Sequence, residues 1–254
     1  MKNSLLLAVV LLLITSACKE SVTEPPLTNG ESDFFPATKG NYYLYNVSVF
    51  DTNGLVQSGN RKSSFTGDTL LLATPYQIKV DTIQLDNIQS LTNTYFRKSS
   101  TGIFNYVGID TTGFSGLVPD SLRGGYSFSS EYRLIYQPLS INQTWPVYKI
   151  NVDLLYIEFE LFGINASVIS KDSITLTFRN LNVTKEVYKI RYTARLTTSL
   201  TEPPIIFEAY AWIADGIGFI KWEGDSELIN FFAGKNVYPS NTTVLEELYS
   251  YKIN

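Results

Sequence analysis

The sequence predicts an all-β protein whose mostly antiparallel strands form an open curved sheet, a half-barrel or a sandwich, after a cleaved N-terminal signal peptide. Three observations support this class. Apolar and polar residues alternate with a period of two in runs along almost the whole chain after residue 40. Turn-forming residues such as Asn and Gly separate these runs. No stretch of comparable length carries apolar residues at the three-to-four spacing of an amphipathic helix.

The N-terminus has the order of a secretory signal. It begins with Met1 and Lys2, an uninterrupted apolar run fills residues 5–14, and small residues come just before Cys18. That run is about half of the ~20 apolar residues that a membrane-spanning helix needs, so it predicts a cleaved signal peptide over residues 1–17. The stretch resembles a bacterial lipoprotein signal, although Thr15 stands where Leu is usual. The resemblance implies that acyl chains such as palmitate are attached to Cys18 and anchor the protein in the outer membrane.

A tether is predicted to follow, over residues 18–32. This segment contains Pro25 and Pro26 and almost no apolar periodicity. Lys19-Glu20 resembles the short signal that exports lipoproteins of Bacteroidota-type bacteria to the cell surface, and it fits a polar tether of no special sequence equally well. Periplasmic and surface orientations therefore both stay open. Residues 33–254 are predicted to form a single all-β domain.

Five runs of alternation predict strands in this domain. They cover residues 43–49, 155–161, 174–178, 188–196 and 207–213. Asn53-Gly54 follows the first run and predicts a hairpin, because both residues tolerate a positive φ angle. Residues 240–251 could begin a helix, but alternation resumes at their end and favours a closing strand. Residues 113–130 are rich in Gly and Ser and predict a long loop or a ragged hairpin.

A short motif occurs twice in the domain. In each copy a proline is followed by Gly or Asn four residues later and by an aromatic residue seven residues later. The copies are Pro36, Gly40 and Tyr43, and Pro138, Asn142 and Trp145. Proline gives an extended entry, Gly or Asn supplies a positive φ angle that turns the chain, and the aromatic residue begins a strand. Duplicated halves and one turn solution used twice both explain the repeat.

A third motif, residues 212–221, predicts a hairpin through Gly216-Ile217-Gly218, because glycines permit the turn. Together the three motifs look like those of an uncharacterised family of bacterial envelope lipoproteins, over residues 34–254. The departures are Tyr43, where Trp is commoner, and Asn142, where Gly is usual. The resemblance implies an open, curved antiparallel sheet similar to that of lipoprotein carriers, and a place in the envelope. It implies no activity.

The composition excludes several classes of site. The chain has 254 residues, 44% of them hydrophobic and 14% aromatic, with no His, one Cys and a net charge of −4. Without His, a Ser–His or Cys–His nucleophile is impossible, and most metal sites are excluded. A single Cys cannot form an intramolecular disulfide. An acidic chain without a basic cluster lacks the electrostatic footprint of nucleic-acid binding. We therefore expect no cofactor, no metal site and no nucleic-acid partner.

Two acidic motifs are better explained by structure than by chemistry. Glu158 and Glu160 share one face of a predicted strand, and paired carboxylates could serve a glycoside hydrolase. Acids opposite an apolar face are also what a solvated strand requires. Asp51-Thr52-Asn53-Gly54 begins like a calcium loop, but no acid follows at the bidentate position, so a hairpin turn explains it better. No catalytic residue is assigned.

Aromatic residues are the one surplus in the composition, with 17 Tyr, 15 Phe and 3 Trp. Tyr210 and Trp212 are predicted to face outward as ligand-contacting rings, together with Tyr42, Tyr95 and Tyr106, because amphipathic rings contact glycans and protein partners. Inward rings could instead line a cavity for an apolar ligand such as an acyl chain. Tyrosine also suits half-buried strands for packing reasons alone.

The sequence thus predicts a lipid-anchored protein of the bacterial outer membrane that binds or scaffolds without catalysis. An apolar ligand held inside the sheet is the first alternative for its role. A surface module that contacts glycan or protein is the second, and a glycoside hydrolase-like enzyme is the third.

Acylation of Cys18 can be tested on the whole chain. We expect the protein extracted from bacterial membranes to have the mass of residues 18–254 plus acyl chains, and Cys18→Ala to lack the added mass, because the thiol is the attachment point. Intact-mass spectrometry of both proteins measures this. An unmodified mass with cleavage elsewhere would contradict the predicted anchor.

Overall fold

The computed structural model describes residues 32–107, 126–154, 157–178, 181–199 and 201–254. Within these ranges thirteen antiparallel strands form one sheet that does not close on itself. Short turns join most consecutive strands, which is why most strands pair with a neighbour in sequence, whereas β6 pairs with β8 and β7 with β5. The predicted all-β class is confirmed, and the architecture is the open sheet. Residues Asp33–Asn254 form one compact unit.

The strand bounds follow the chain order. They are β1 (Tyr42–Asp51), β2 (Gly54–Leu71), β3 (Thr74–Leu85), β4 (Ile88–Ser99), β5 (Gly102–Tyr106), β6 (Tyr126–Phe128), β7 (Glu131–Tyr136), β8 (Thr144–Leu154), β9 (Ile157–Phe178), β10 (Leu181–Leu196), β11 (Ile205–Ala214), β12 (Gly218–Asp225) and β13 (Thr243–Lys252). Across the sheet the order is β6-β8-β9-β10-β11-β12-β13-β1-β2-β3-β4-β5-β7.

Alternation separates an inner face, which is buried, from an outer face. On β1 the buried residues are Tyr43, Tyr45, Val47 and Val49, whereas Asn46 is exposed. The same pattern holds on β10 and β11, so the period-two reading of these strands is confirmed. Of the predicted run 155–161, residues 155 and 156 lie outside the described ranges. The predicted closing strand is β13.

The sheet curls until its two ends approach each other. Trp145 on β8 donates its indole N–H to the carbonyl of Arg133 on β7 over 3.2 Å. The hydroxyl of Tyr192 on β10 donates to the neighbouring carbonyl of Leu134 over 2.9 Å. These side chains satisfy carbonyl groups on the free edge of β7, which a sheet edge otherwise leaves unpaired.

The two copies of the proline motif make the same turn, although the peptide bond before Pro138 is cis and that before Pro36 is not. Gly40 and Asn142 both have a positive φ angle, 94° and 64° respectively, as predicted. Gly40 N–H donates to the carbonyl of Phe65 over 2.9 Å, and Asn142 N–H donates to that of Val168 over 2.9 Å. Each motif therefore opens a pair made of one shorter strand and one long strand, β1 with β2 and β8 with β9.

The predicted hairpins form, with one difference in detail. β1 and β2 are joined through Thr52-Asn53, and the positive φ angle, 123°, is at Gly54. The carboxylate of Asp51 accepts a hydrogen bond from the Asn53 N–H over 2.6 Å, which closes the turn. Gly216 and Gly218 also have positive φ angles, between β11 and β12. Of the predicted loop over residues 113–130, the part before residue 126 lies outside the described ranges.

One short helix, α1 (Ser226–Ala233), was not expected from the sequence. Seven of its eight residues are buried, so it lacks the polar face that produces a helical pattern. Phe231 and Phe232 pack against Tyr132 on β7, with ring centroids 5.1 and 5.9 Å from the Tyr132 ring. The helix thereby covers part of the inner face of the sheet. Within the described ranges, no helix has the length and apolar character to span a membrane.

Asn230 holds the end of α1 to the segment that follows it. Its Oδ1 accepts from the backbone N–H groups of Val237 and Tyr238, and its Nδ2 donates to the carbonyl of Tyr238, all over 2.9 Å. Asn230→Ala should lower the free energy of unfolding by about 3 kcal/mol, because three buried backbone groups lose their partner. Urea denaturation measures this, with Asn46→Ala on the exposed face of β1 as the control. Equal urea midpoints for the two variants would contradict a stabilising role of the Asn230 side chain.

Candidate functional site

The outer face of β10, β11 and β12 carries a row of alternating lysine and tryptophan. Lys189, Trp212 and Lys221 are direct cross-strand partners on these three strands. Tyr210 lies two residues from Trp212 on the same face of β11. These four residues are called the lysine–aromatic row below. Their position follows from period-two alternation, which turns the neighbouring Ala211 and Ile213 inward.

Cation–π contacts hold the row together. Lys189 Nζ lies 4.7 Å from the ring centroid of Tyr210 and 4.7 Å from that of Trp212. Lys221 Nζ lies 4.8 Å from the ring of Trp212. The two rings are 6.4 Å apart and inclined at 47°. Both rings are half-buried, so each still presents part of its surface to solvent.

The cations of this face differ in their carboxylate partners. Lys221 Nζ pairs with Glu223 at 2.9 Å and approaches Glu247 at 3.9 Å. Among the described residues, no carboxylate oxygen lies within 4.0 Å of the charged group of Lys189 or of Arg191, the cross-strand partner of Tyr210. These two cations are therefore available to an anionic ligand.

Tyr210 is tied to the acidic side of the same surface. Its hydroxyl donates to Glu208 over 3.1 Å. Burial raises the pKa of Tyr210, and the hydrogen bond to Glu208 raises it further. Tyr210 therefore stays neutral at physiological pH and acts as an amphipathic ring.

The sequence-predicted rings Tyr210 and Trp212 are thus brought together on one outer face. The other predicted rings lie elsewhere and are also half-buried. Tyr42 is covered by Lys62, whose Nζ lies 5.5 Å from the ring centroid. Tyr95 and Tyr106 are 6.5 Å apart on β4 and β5. Cys18 lies outside the described residues.

The inner face contains a buried network of charges. Arg61 on β2 bridges Asp81 on β3 over 3.0 Å and Glu246 on β13 over 2.6 Å. Lys79 Nζ lies 3.1 Å from the second oxygen of Asp81. Tyr238 donates its hydroxyl to Glu246 over 2.5 Å. Two cations and two carboxylates therefore neutralise one another, and both carboxylates are fully buried, so they require these partners.

The pKa values of this network follow from burial and from the opposite charges. Burial alone would raise the pKa of Asp81, but Arg61 and Lys79 outweigh it and hold the pKa well below its ordinary value. Burial lowers the pKa of Lys79, which the charge of Asp81 only partly offsets. Burial, together with Glu246, raises the pKa of Tyr238.

A small cavity of about 50 Å³ adjoins this network. Eight aromatic side chains line it, together with Arg61, Lys79 and Asn105. A cavity needs roughly 10–15 Å³ for each water molecule, so this one holds a few waters. Pockets for organic ligands occupy roughly 300–1,000 Å³. This cavity is therefore too small for an acyl chain.

The acidic motifs found in the sequence have structural partners. Glu158 accepts a hydrogen bond from Asn151 over 2.7 Å, and Glu160 pairs with Lys149 at 2.9 Å. Both acids lie on the solvated side of β9, and neither enters the cavity. Among the described residues, no group of three or more His, Cys, Asp or Glu side chains is placed to hold a metal ion.

Sequence reasoning missed the buried network and the lysines of the row. A signal for the network exists in the alternation itself. Arg61 is in phase with Phe65, Asp81 with Ile83, and Glu246 with Val244, so each charge occupies an inward position. The lysines carry no such signal, because Lys189 and Lys221 meet Trp212 only through the register of three strands.

No protein-family model and no curated protein matches the chain. Two solved structures are similar to it. One is a provisionally assigned lipoprotein of Parabacteroides distasonis ATCC 8503, with 13% identity, a TM-score of 0.44, and coverage of 87% of this chain and 99% of that one. The other is a provisionally assigned exported protein of Bacteroides fragilis NCTC 9343 with a YmcC-like fold, with 11% identity, a TM-score of 0.46, and coverage of 87% and 100%. Both descriptions agree with the envelope lipoprotein family that the sequence resembles, and likenesses this distant carry nothing further.

The buried network makes the stability of the fold depend on pH. The pKa of Asp81 in the folded protein lies below the value of about 4 in an unfolded chain. Its ionised form therefore stabilises the fold fully above pH 4, and this stabilisation is lost as the pH falls below 4. Asp81→Asn should lower the free energy of unfolding at pH 7 by about 3–5 kcal/mol, because it leaves Lys79 without its carboxylate and Arg61 with Glu246 alone.

The difference between wild type and Asp81→Asn should begin to shrink between pH 5 and pH 3, because the Asp81 carboxylate of the unfolded chain takes up a proton there while that of the folded chain stays ionised. Urea denaturation at each pH measures it, and Asp215→Asn, at an exposed turn, is the control. A difference that is constant over this range would contradict the assignment of the effect to the charge of Asp81.

Proposed function

We propose that the protein is a lipid-anchored protein of the bacterial outer membrane that binds an acidic glycan, without catalysis, on the lysine–aromatic row. The observation that carries the proposal is the pair of half-buried rings beside two cations, Lys189 and Arg191, that have no carboxylate partner among the described residues. The predicted acylation of Cys18 supports the location.

The chemistry of the row suits a sugar that carries a negative charge. The aromatic rings offer flat apolar surfaces on which the C–H faces of a pyranose can stack. Lysine and arginine provide charge-assisted hydrogen bonds to carboxylate or sulfate groups. The row lies on a sheet face, where an extended polymer can pass without entering a cleft. After removal of residues 1–17 the chain has a net charge of −5, so attraction of a polyanion depends on these local cations.

An apolar ligand inside the sheet is less well supported. The cavity of about 50 Å³ would have to expand at the expense of α1. Removing α1 from the inner face would expose Leu228, Ile229, Phe231 and Phe232. Each such side chain contributes roughly 1.5–3 kcal/mol when buried, so opening would cost about 6–12 kcal/mol. The outer face needs no rearrangement, and for this reason we place the ligand there.

Affinity electrophoresis of the purified full chain tests the proposal, with polygalacturonate as the acidic glycan and dextran as a neutral one. We expect retardation by polygalacturonate alone, weakened by added salt. Trp212→Ala and Lys189→Gln should each weaken binding about tenfold, which corresponds to the loss of one favourable contact of about 1.4 kcal/mol.

The matched control is the second lysine–tyrosine pair of the outer face, altered as Tyr42→Ala and Lys62→Gln, which should bind as wild type does. Equal loss in the row and in the control pair would show non-specific attraction and overturn the proposal. If the chain instead binds an envelope protein and no glycan, and Trp212→Ala loses this binding, the ligand of the lysine–aromatic row is a protein.

A further inference from the structure

The tip of the hairpin between β2 and β3 exposes an apolar run. Residues 70–73 read Leu-Leu-Leu-Ala. Leu72 is 77% exposed and Leu70 is 72% exposed, the two highest values among the large hydrophobic residues that the structure describes. Single exposed leucines are common on protein surfaces, but consecutive ones at a protruding tip indicate a contact surface.

The backbone of this tip makes the sequence more unusual. Leu72 and Ala73 have φ angles of 48° and 64°, in the left-handed region. A two-residue turn of this kind favours Asn-Gly or Gly-Gly, because side chains with a Cβ are strained there. Folding alone therefore does not account for apolar residues at these two positions.

The hairpin extends past the end of β1 on one side, whereas on the other side β4 continues to Ser99 in the same direction. The pairing of β1 with β2 ends at Ser64, and that of β3 with β4 ends at Gln77. Beyond these points β2 and β3 pair only with each other. At about 3.4 Å per residue the tip extends roughly 10 Å past the last paired residue of β3. Leu70 and Leu72 therefore lie at an outer point of this end of the sheet, to which the β9–β10 ladder also extends.

The chain enters the domain at the same end of the sheet. Asp33 pairs with Lys98 Nζ at 2.9 Å, and its carbonyl accepts a hydrogen bond from Gly216 N–H over 2.9 Å. Lys98 lies two residues past Phe96, the partner of Gln77, in the direction of the tip. The predicted tether over residues 18–32 has 15 residues, so it spans at most roughly 50 Å. An anchor at Cys18 thus keeps this end of the sheet near the membrane.

We infer that Leu70 and Leu72 insert into the lipid bilayer in which the protein is anchored, an inference that rests on the anchor in the proposed function. The tip is apolar, projects, and lies at the end of the sheet where the tether enters. Exposed apolar residues at the opposite end, such as Leu55 and Ile88, are 59% and 65% exposed and point away from the tether. They provide matched controls.

The first test uses the full mature chain with an environment-sensitive fluorophore on Leu72→Cys or, as the control, on Ile88→Cys. The acylated Cys18 does not react with the label. In vesicles of phosphatidylethanolamine and phosphatidylglycerol, we expect the emission at position 72 to shift to shorter wavelength and to be quenched by nitroxide-labelled lipid, and that at position 88 to do neither. Identical behaviour at the two positions would overturn the inference and leave the anchor intact.

The second test removes the anchor. The mature chain, residues 18–254, with Cys18→Ala should retain weak binding to the same vesicles in a flotation assay. Adding Leu70→Ser and Leu72→Ser should lower the partition coefficient roughly 30-fold, from the apolar area no longer buried. Adding Leu55→Ser and Ile88→Ser should leave it unchanged. Equal losses in the two double variants would overturn the inference. A fluorescence shift at position 72 that occurs without vesicles and only at high protein concentration would also overturn it, because such a shift indicates self-association. If the wild-type protein proves to be unacylated, only the predicted anchor is refuted. The flotation assay still tests the tip, because it uses a protein that has no anchor.

Discussion

A sheet that does not close on itself must have its inner face covered by something other than further strands, and this constraint organises the whole domain. The chain meets it with its own side chains. Aromatic rings from both halves of the sheet meet over α1, where Tyr192 packs on Trp222 at 5.5 Å and on Phe232 at 4.9 Å. Trp145 and Tyr192 then satisfy carbonyls on the free edge of β7. Closure by side chains does what a backbone ladder does in a closed barrel, because it removes the unpaired edge and excludes water.

The buried charges fit the same constraint. The inner face of β2, β3 and β13 is polar where it faces the cavity, and Arg61 connects carboxylates that are 20 and 185 residues away in sequence. A buried ion pair contributes little net stability compared with apolar packing, yet it is strongly destabilising when one partner is removed. The network therefore fixes which strands lie side by side more than it strengthens the fold. With α1 and the network in place, the cavity beside Arg61 is reduced to about 50 Å³.

The sequence predicts the features that depend on local pattern. Alternation identified β1, β10, β11 and β13, and the proline motif located positive φ angles at Gly40 and Asn142, because both signals are contained in a few consecutive residues. The helix α1 was not predicted, because its buried residues lie on all sides of it and its sequence therefore shows no helical period of apolar residues. The aromatic pair Tyr210 and Trp212 was predicted, but the lysines that cover the rings were not. Their contacts arise from the register of β10, β11 and β12, and register depends on the pairing of whole strands.

The arrangement of the row and the tip along the strands gives a geometric consequence. β11 runs toward the end of the sheet at which Asp33 contacts Gly216, and Trp212 lies four residues before that glycine. At about 3.4 Å per residue, the row is roughly 14 Å from this end. If Leu70 and Leu72 enter the bilayer, the strands stand upright on the membrane and the row faces sideways. Through the register of β11, β12, β13, β1 and β2, Trp212 is level with Asn60, twelve residues before Leu72, so the row stands roughly 40 Å from the inserted tip. An acidic glycan carried on a neighbouring lipid and long enough to span this height would meet Lys189, Tyr210 and Trp212 in two dimensions, and anchoring of both partners in one membrane raises the effective concentration of one near the other.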